Sequence, residues 1–526
     1  MWNQLLKKNK FICLDGGMGT MLQKGGMPAG AIPELYNLSE PERIIAVHRA
    51  YAEAGADIIY ANTFGANRMK MKKTGKAASD LIRAGIANAR KAVEGTDTLV
   101  ALDIGPIGQL LEPLGTLTFE EAYDIFREEI LAGADADVIV IETMTDLYET
   151  RAAVLAAKEN SSKPVLVTMT FEENKRTFTG CSVAAMALTL EGLGVDALGV
   201  NCSLGPKELY PVVEELCQWT TLPVIVKPNA GLPDPVTGTF SVEPEDFAAA
   251  LADLAKLGVK IFGGCCGTTP EHLKAASDRL EKTEVQAPER KPIPAAVCSA
   301  TSVVTITEPR MIGERINPTG KKRFQQALRE NDISYILEQA VQQTDAGADI
   351  LDVNVGLPGI DETDMMVRTV KALQAVEDVP LQLDSTNPEV LEAALRVYNG
   401  KPIVNSVNGE EESLRNILPL VKKYGAAVVG LTLDEKGIPQ KAEDRFAIAK
   451  RILERAEAIG IPKRDVYIDC LTLTVSAEQT GAQETLTALR RVKEELGLKT
   501  VLGVSNISFG LPNREAVNRT FLTMAM

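Results

Sequence analysis

The sequence predicts an α/β protein made of two tandem (β/α)8 barrels of the TIM type, the second lacking its last βα module. Short β-branched runs alternate with helical patterns along all 526 residues, which is typical of parallel strands joined by crossover helices. Eight such modules lie within residues 11–262, which favours a closed barrel over a doubly wound open sheet, the alternative fold. The sequence Ala-Gly-Ala-Asp-Ile occurs at residues 54–58 and 346–350. In both places it ends a predicted helix and enters the second strand of its half, so we expect two similar units.

The first predicted barrel covers residues 1–284. Between its strands lie segments such as Pro41–Gly55 and Phe119–Gly133, whose apolar residues recur at helical spacing. The predicted strands are Phe11–Asp15, Asp57–Asn62, Leu99–Ile104, Asp137–Glu142, Val165–Thr170, Ala197–Asn201, Val224–Lys227 and Lys260–Phe262.

A proline-rich segment then interrupts the alternation and predicts an extended interdomain linker over residues 285–310. The second predicted barrel, residues 311–526, has only seven strand signals, and the chain stops within the predicted seventh helix. We expect a truncated chain or a fragment, because a barrel without its last strand leaves two strand edges unpaired. The seven strands are Met311–Ile316, Asp349–Asn354, Pro380–Asp384, Pro402–Ser406, Ala427–Leu433, Val466–Asp469 and Val501–Ser505.

The composition narrows the classes of function. A net charge of −15, from 71 acidic and 56 basic residues, disfavours nucleic acid and anionic membrane surfaces as partners. The sequence contains neither an apolar stretch long enough to span a membrane nor an apolar signal segment at its start. It therefore predicts a soluble cytoplasmic protein. Only two histidines are present, against eight cysteines, and in a reducing compartment a cysteine cluster indicates metal binding or catalysis more often than disulfides.

Three cysteines follow predicted strands at the carboxyl ends, where barrel enzymes carry their active sites. Cys202 follows the sixth strand, and Cys265 and Cys266 follow the eighth. Gly263, Gly264 and Gly267 around the pair offer the backbone freedom to turn both sulfurs to one side. Because the barrel closes, these distant positions can converge on one centre.

Three thiolates on zinc leave one position of the tetrahedron open, as in a catalytic rather than a structural site. A thiol substrate that entered there would lose its proton, and the negative charge of the site would keep its sulfur nucleophilic. Asn229, at the end of the seventh strand, could supply an oxygen when no thiol is bound. The alternatives are three ordinary buried cysteines or a disulfide between the adjacent pair.

Four motifs of the first half resemble the zinc-dependent homocysteine S-methyltransferase family: Asp15–Thr20, Asn62–Ala66, Asn201–Ser203 and Gly263–Thr268. The resemblance implies that Cys202, Cys265 and Cys266 bind Zn²⁺. It also implies that Asp15 and Glu142 lie near the amino group of homocysteine, where a buried ammonium needs charged acceptors. The alternative for these two carboxylates is a cap or a salt bridge at a strand end.

Carboxylates and amides also recur at the strand ends of the second half, and burying them without partners would be costly. A reduced pterin offers ring N–H donors for carboxylates, and a carbonyl and N5 for amides. Ordinary caps and strand-end hydrogen bonds are the alternative. The candidates for substrate binding are Glu314, Asn317, Asp352, Asn354, Asp384, Asn405, Asp469 and Asn506.

The motifs at Ile312–Pro318, Leu351–Asn354, Leu383–Ser385 and Gly503–Pro512 resemble pterin-binding methyltransferases. By this resemblance Asp384, Asn405, Asp469 and Asn506 contact the pterin. Asn506 and Asp469 are the expected catalytic residues, with Asn506 on the N5 side. Asp469-Cys470 departs from the Asp-Pro expected there, so the loop after the sixth strand is expected to differ.

The order of the two barrels resembles the cobalamin-dependent methionine synthase family. This implies methyl transfer from 5-methyltetrahydrofolate to homocysteine through cobalamin, carried by a corrinoid-binding domain or protein outside this chain. Two alternatives remain: a corrinoid-independent homocysteine S-methyltransferase that uses S-methylmethionine or betaine, and a truncated zinc- or folate-binding fragment.

Overall fold

The chain forms two compact units, Met1–Ile293 and Pro294–Met526. The structure, a computed structural model, describes residues 2–8, 10–28, 30–234, 239–284 and 292–526. In both units a curled parallel sheet alternates with helices along the chain, which confirms the predicted α/β architecture of tandem TIM-type barrels.

The first unit contains an eight-stranded sheet in which all neighbouring strands are parallel. Its strand order is β1-β8-β7-β6-β5-β4-β3-β2, and a parallel bridge between Leu14 and Ile58 joins the two ends of the sheet into a barrel. The strands are β1 (Ile12–Cys13), β2 (Ile58–Tyr60), β3 (Leu99–Ile104), β4 (Val138–Met144), β5 (Val165–Met169), β6 (Ala197–Asn201), β7 (Val224–Lys227) and β8 (Ile261–Phe262).

Helices connect these strands. The loop from β3 leads into α7, where the side chains of Thr118 and Glu121 form a reciprocal capping box at the first turn. The helices are α1 (Trp2–Lys8), α2 (Met18–Lys24), α3 (Tyr36–Ser39), α4 (Pro41–Glu53), α5 (Arg68–Met71), α6 (Ala78–Ala92), α7 (Phe119–Ala132), α8 (Leu147–Asn160), α9 (Val183–Gly192), α10 (Tyr210–Trp219), α11 (Pro244–Ala255) and α12 (Pro270–Lys282).

The interior of the first barrel is packed, because its strands are buried on both faces and are rich in Val, Ile and Leu. All six residues of β3 are buried. At the amino-terminal end of the strands, α1 places Trp2, Leu5 and Leu6 against the interior cluster. The barrel is therefore closed at that end, and its polar site lies at the other.

The second unit contains a seven-stranded parallel sheet in sequence order and a separate antiparallel hairpin. The seven predicted strands of this half are confirmed, although the last begins and ends earlier than expected. The strands are β9 (Ala296–Cys298), β10 (Val303–Thr305), β11 (Ile312–Ile316), β12 (Ile350–Val353), β13 (Leu381–Asp384), β14 (Ile403–Asn408), β15 (Ala427–Leu431), β16 (Val466–Asp469) and β17 (Lys499–Val501).

The hairpin β9–β10 lies where the sequence predicts an extended linker. Ala295 and Val297 pack against Ile350, Ile403 and Ala427, at or near the starts of barrel strands. The hairpin therefore covers the amino-terminal end of the second sheet. Of the predicted linker, residues 285–291 lie outside the described residues.

The helices of the second unit follow the same alternation with its strands. Several begin at a side-chain cap; Asp361, for example, accepts a hydrogen bond from the amide of Asp364 at the start of α15. The helices are α13 (Lys322–Glu330), α14 (Ile333–Asp345), α15 (Glu362–Gln374), α16 (Pro388–Val397), α17 (Glu411–Tyr424), α18 (Ala442–Ala458), α19 (Gly481–Glu495) and α20 (Arg514–Ala525).

Candidate functional site

The three cysteines that the sequence analysis selected converge at the carboxyl ends of the strands of the first barrel. Cys202 directly follows β6, and Cys265 and Cys266 follow β8. Their sulfur atoms all lie within 4.8 Å of one another. A tetrahedral zinc site with bonds of about 2.3 Å places its sulfurs about 3.8 Å apart, so small side-chain adjustments would complete it. The other five cysteines are all buried.

The backbone around β7 holds both sulfur-bearing loops. The amide of Cys202 donates to the carbonyl of Lys227 at 3.0 Å, and the amide of Cys265 donates to that of Pro228 at 2.8 Å. Cys202 and Ser203 have φ angles of +60° and +57°, which turns the chain sharply after β6.

The glycines after β8 are required by their surroundings. A β-carbon on Gly264 would lie 2.4 Å from the hydroxyl oxygen of Thr268, which is too close for any other residue. Gly267 has a φ angle of +80°, a conformation that glycine adopts without strain. These two positions allow the pair Cys265–Cys266 to face Cys202.

Asn229 lies against the sulfur group. Its Oδ1 accepts a hydrogen bond from the amide of Cys266 at 3.1 Å, and its side chain also hydrogen-bonds Cys202. Asn229 therefore orients two of the three cysteines in this structure. An amide oxygen has a second lone pair, so its role as a fourth metal ligand stays a prediction.

The three sulfurs perturb one another's pKa values. Hydrogen bonds from Cys265 and Cys266 lower the pKa of Cys202 to about 3. The hydrogen bond with Cys202 raises the pKa of Cys266 to about 12, although Cys265 lowers it. Hydrogen bonds with Cys202 and Cys266 raise the pKa of Cys265 well above its ordinary value. Negative charge is therefore favoured on Cys202. Three soft sulfur donors of this kind fit a zinc ion.

A second polar group, which we call the acidic group, consists of Asp15, Asp103, Glu142 and Lys227. Asp15 follows β1, Asp103 lies within β3, Glu142 lies within β4, and Lys227 ends β7, so four separate strands bring them together. The ammonium of Lys227 lies 3.1 Å from Glu142 Oε2 and 3.5 Å from Asp15 Oδ1. All four residues are buried.

Burial and mutual repulsion perturb this group. Burial raises the pKa of Asp15 to about 6, although Lys227 and the amide of Tyr60 lower it. Burial and the charge of Glu142 raise the pKa of Asp103 well above its ordinary value, which favours its neutral form. Asp15 Oδ1 accepts no hydrogen bond from the described residues.

Lys227 and Asp103 were not predicted from the sequence. Both lie in strands whose other residues are nearly all apolar, Val224–Lys227 and Leu99–Ile104. A charged residue inside such a strand is the available signal, because an ionised side chain is rarely buried without a partner.

The predicted carboxylates and amides of the second unit partly converge. Asn354 donates to Asp384 at 3.0 Å, and Gln382 donates to Asp352 at 2.6 Å. Asn405 reaches the same oxygen of Asp352 at 3.4 Å. These five residues form two hydrogen-bonded sets on the neighbouring strands β12, β13 and β14, and the charge of Asp384 acts on Asp352 between them. We call the five residues together the polar network. Gln382 was missed, although it alternates with Asp384 on one face of β13.

Burial controls the charge of this network. Burial and the nearby Asp384 raise the pKa of Asp352 to about 7, although Gln382 and Asn405 lower it. Burial also raises the pKa of Asp384. Carboxylates that hold protons near neutral pH are typical of sites that bind a polar ligand.

Asp469 lies at the end of β16, where burial raises its pKa to about 6. Its Oδ1 accepts from the amide of Leu471 at 2.8 Å. The following loop is held by Arg445, which donates to the carbonyls of Cys470 and Leu471 at 2.9 and 3.0 Å. Buried Arg445 thus fixes the loop in which the expected proline is replaced by Cys470.

Four candidates make no direct contact with this network among the described residues, and Asp469 is one of them. Asn317 accepts from the amide of Thr319 at 2.9 Å, which is a turn-stabilising role. Glu314 is exposed and acts on Asp352 through its charge. Asn506 is exposed in a short 3-10 helix, Val504–Ser508. Substrate binding stays a prediction at all eight candidate positions.

The first unit is thus a TIM-type barrel with a sulfur group and an acidic group at one end. Residues 12–280 match the homocysteine S-methyltransferase family, and the chain belongs to that family. Residues 313–526 match the pterin binding enzyme family.

Two relatives are similar along almost the whole chain. The methionine synthases of Mycobacterium leprae and Mycobacterium tuberculosis are each 34% identical over 97% of this chain and 46% of their own length. The chain therefore spans about half the length of the curated relatives it matches. Among solved structures, the metallated homocysteine methyltransferase MmuM of Escherichia coli is 25% identical, with a TM-score of 0.47, over 52% of this chain and 98% of its own.

In the ranges that the structure describes, no helix combines the length and the apolar character needed to cross a bilayer.

Proposed function

We propose that the chain carries two sites of a cobalamin-dependent methionine synthase. The second unit would bind 5-methyltetrahydrofolate, and the first would bind homocysteine. The methyl group would pass between them on a corrinoid held by a separate domain or protein, giving methionine and tetrahydrofolate. The single observation that carries this proposal is the convergence of Cys202, Cys265 and Cys266 within 4.8 Å.

In the first unit the chain's residues bind and orient homocysteine. Zinc bound by the three cysteines would supply a position at which a substrate sulfur is held as a nucleophilic thiolate. Glu142 and Asp15 are acceptors for the substrate ammonium, and Asp15 Oδ1 lacks a hydrogen bond from the described residues. A charge-assisted hydrogen bond there would align the substrate along the barrel axis.

In the second unit the polar network supports binding of the pterin ring. Asp352 and Asp384 offer acceptors for ring N–H groups, and the amides of Asn354, Gln382 and Asn405 keep the carboxylates in place. Asp469 and Asn506 are the candidates for supplying a proton or hydrogen bond to N5, since the amine is a poor leaving group without one.

The reducing cytoplasm is the expected compartment, because the proposed thiolate site must not be oxidised. Homocysteine, 5-methyltetrahydrofolate and the corrinoid-binding domain or protein are the proposed partners.

The proposal is tested by measuring methionine formation from homocysteine with four donors: methylcobalamin, 5-methyltetrahydrofolate, S-methylmethionine and betaine. We expect turnover with methylcobalamin alone, and with 5-methyltetrahydrofolate only when cobalamin and a reductant are added. Turnover with S-methylmethionine or betaine in the absence of corrinoid would support the corrinoid-independent alternative instead. Stoichiometric zinc without turnover or folate affinity would indicate a binding fragment.

A further inference from the structure

Lys227 is a buried lysine whose ammonium lies between two carboxylates and an aromatic ring. Its side chain is 3% exposed. Around the nitrogen lie Glu142 Oε2 at 3.1 Å, Asp15 Oδ1 at 3.5 Å and the centre of the Tyr60 ring at 3.5 Å. The contact with Glu142 is a hydrogen bond, whereas Asp15 and the Tyr60 ring attract the ammonium through its charge. The positive charge of Lys227 is therefore directed at groups of the protein.

The acidic group holds more carboxylates than ammonium groups. Asp15 and Glu142 both face the single ammonium of Lys227, and burial raises the pKa of Asp103 well above its ordinary value, which favours its neutral form. A buried charge without a partner is costly. Asp15 Oδ1 accepts no hydrogen bond from the described residues. One cationic N–H donor would satisfy both the charge and the empty acceptor.

We propose that Lys227 sets the amino-group selectivity of the thiol site, because it neutralises one of two carboxylates and leaves a single negative charge for a single ligand ammonium. This inference rests on the proposed function, in which the thiol is homocysteine. Lys227 is a positioning residue, since its ammonium contacts the carboxylates rather than the substrate.

A purely structural role for Lys227 makes a different prediction. If the lysine only held the two carboxylates in position, its removal would weaken selectivity both in the wild-type chain and in a chain that lacks one carboxylate. If Lys227 acts by neutralising one carboxylate, its removal should restore selectivity in a variant that has already lost the other carboxylate. In that variant the net charge of the acidic group returns from zero to −1. The Asp15→Asn background separates the two roles.

The experiment compares binding of homocysteine and 4-mercaptobutanoate, the same thiol acid without the amino group, to the zinc-loaded full chain by calorimetry. Amino-group selectivity is the dissociation constant of 4-mercaptobutanoate divided by that of homocysteine. Asp15→Asn should lower this ratio about tenfold or more, as expected for losing a charge-assisted hydrogen bond. Asp15→Asn/Lys227→Met should recover most of it. Zinc content is measured for every variant.

Lys401→Met is the matched control, because Lys401 is equally buried and pairs with Asp465 at 2.6 Å in the second unit. It should leave the ratio unchanged. Glu142→Gln/Lys227→Met gives the acidic group the same net charge by removing the other carboxylate. It controls for a folding defect confined to the Asp15 variant. A ratio in the double variants at or below that of Asp15→Asn, or loss of zinc from both, would overturn the inference.

The wild-type chain distinguishes this failure from that of the proposed function. If it binds zinc but shows no preference for homocysteine over 4-mercaptobutanoate, the proposed homocysteine site is itself wrong. If that preference exists and only the double variants fail to recover it, the homocysteine site stands and Lys227 has a structural role.

Discussion

At the scale of single residues, the turn at Cys202 and Ser203 is the feature that makes the sulfur group possible. Both residues adopt the left-handed backbone region, which costs about 1–3 kcal/mol for a residue with a β-carbon and is concentrated at functional sites. Two amides anchored to the end of β7 hold the loops in place. The strain is therefore balanced by contacts that keep all three sulfurs together.

Cys202→Ser should remove most of the bound zinc, because a serine oxygen is a much weaker ligand than a thiolate for this soft site. The measurement is zinc per chain by elemental analysis after dialysis against a weak chelator. Cys217→Ser is the control, since Cys217 is buried on α10 and is not part of the sulfur group. Equal losses in the two variants would contradict the ligand assignment.

Folate affinity should depend on pH through Asp352. Its pKa is raised from 3.8 to about 7, so the carboxyl keeps its proton below pH 7 and becomes an ionised acceptor above it. A ring N–H donor prefers the ionised form, and affinity for 5-methyltetrahydrofolate should therefore rise from pH 6 to pH 8. Fluorescence titrations across this range measure it.

Asp352→Asn is the control for that titration, because the amide does not ionise. Its affinity should be weaker and nearly constant above pH 7, with a residual slope near pH 6 from Asp469. An affinity that falls with rising pH in the wild-type chain would show that the protonated carboxyl is the binding form.

The sequence predicted the three cysteines because strand ends of a closed barrel converge, whatever their distance along the chain. It did not predict Lys227, Asp103 or Gln382. Each is a polar residue inside an apolar strand, and alternation alone does not tell whether such a side chain faces a site or a structural partner. That distinction depends on which other strands lie opposite, as Asp15 and Glu142 do for Lys227.

At the scale of elements, the hairpin β9–β10 is the main difference between prediction and structure. Prolines on its amino-terminal side favoured an extended linker, and its two strands are only three residues long. Short strands give almost no periodic signal. What stabilises them is tertiary: Val297 packs on the barrel interior, and Tyr398 donates to the carbonyl of Cys298 at 2.9 Å.

Val297→Ala should lower the unfolding free energy of the second unit by roughly 2 kcal/mol, from lost burial and the cavity left behind. The measurement is urea denaturation monitored with and without saturating 5-methyltetrahydrofolate, which identifies the transition of the second unit. Val376→Ala, at a position 54% exposed, is the control and should change it little. An equal loss of unfolding free energy in Val297→Ala and Val376→Ala would show that packing of the hairpin does not stabilise the second unit.

At the scale of the whole chain, each unit carries its own candidate site, and the two candidate sites differ in chemistry. The first has soft sulfur donors beside a buried acidic group, and the second has carboxylates supported by amides. A site that activates a thiol and a site that activates a methylated amine need opposite electrostatics. Separate barrels allow both.

The two half-reactions should therefore be separable by mutation. Cys202→Ser should abolish methylation of homocysteine by methylcobalamin while leaving methyl transfer from 5-methyltetrahydrofolate to cob(I)alamin at the wild-type rate. Asn506→Ala should do the reverse, with a loss of about 10²-fold or more if it assists N5. Both rates follow from the cobalamin absorption spectrum. Loss of both half-reactions in either variant would contradict independent sites.

The first barrel is closed at the amino-terminal end of its strands by Trp2, Leu5 and Leu6, which bears on the order in which ligands bind. Among the described residues, this packing leaves the carboxyl ends of the strands as the open end of the barrel. In the proposed reaction the thiol, the methyl donor and the product would all enter and leave at that end. A bulky donor placed over it would cover the bound thiol. On the proposed function, homocysteine would therefore bind before the donor, and methionine would leave after it.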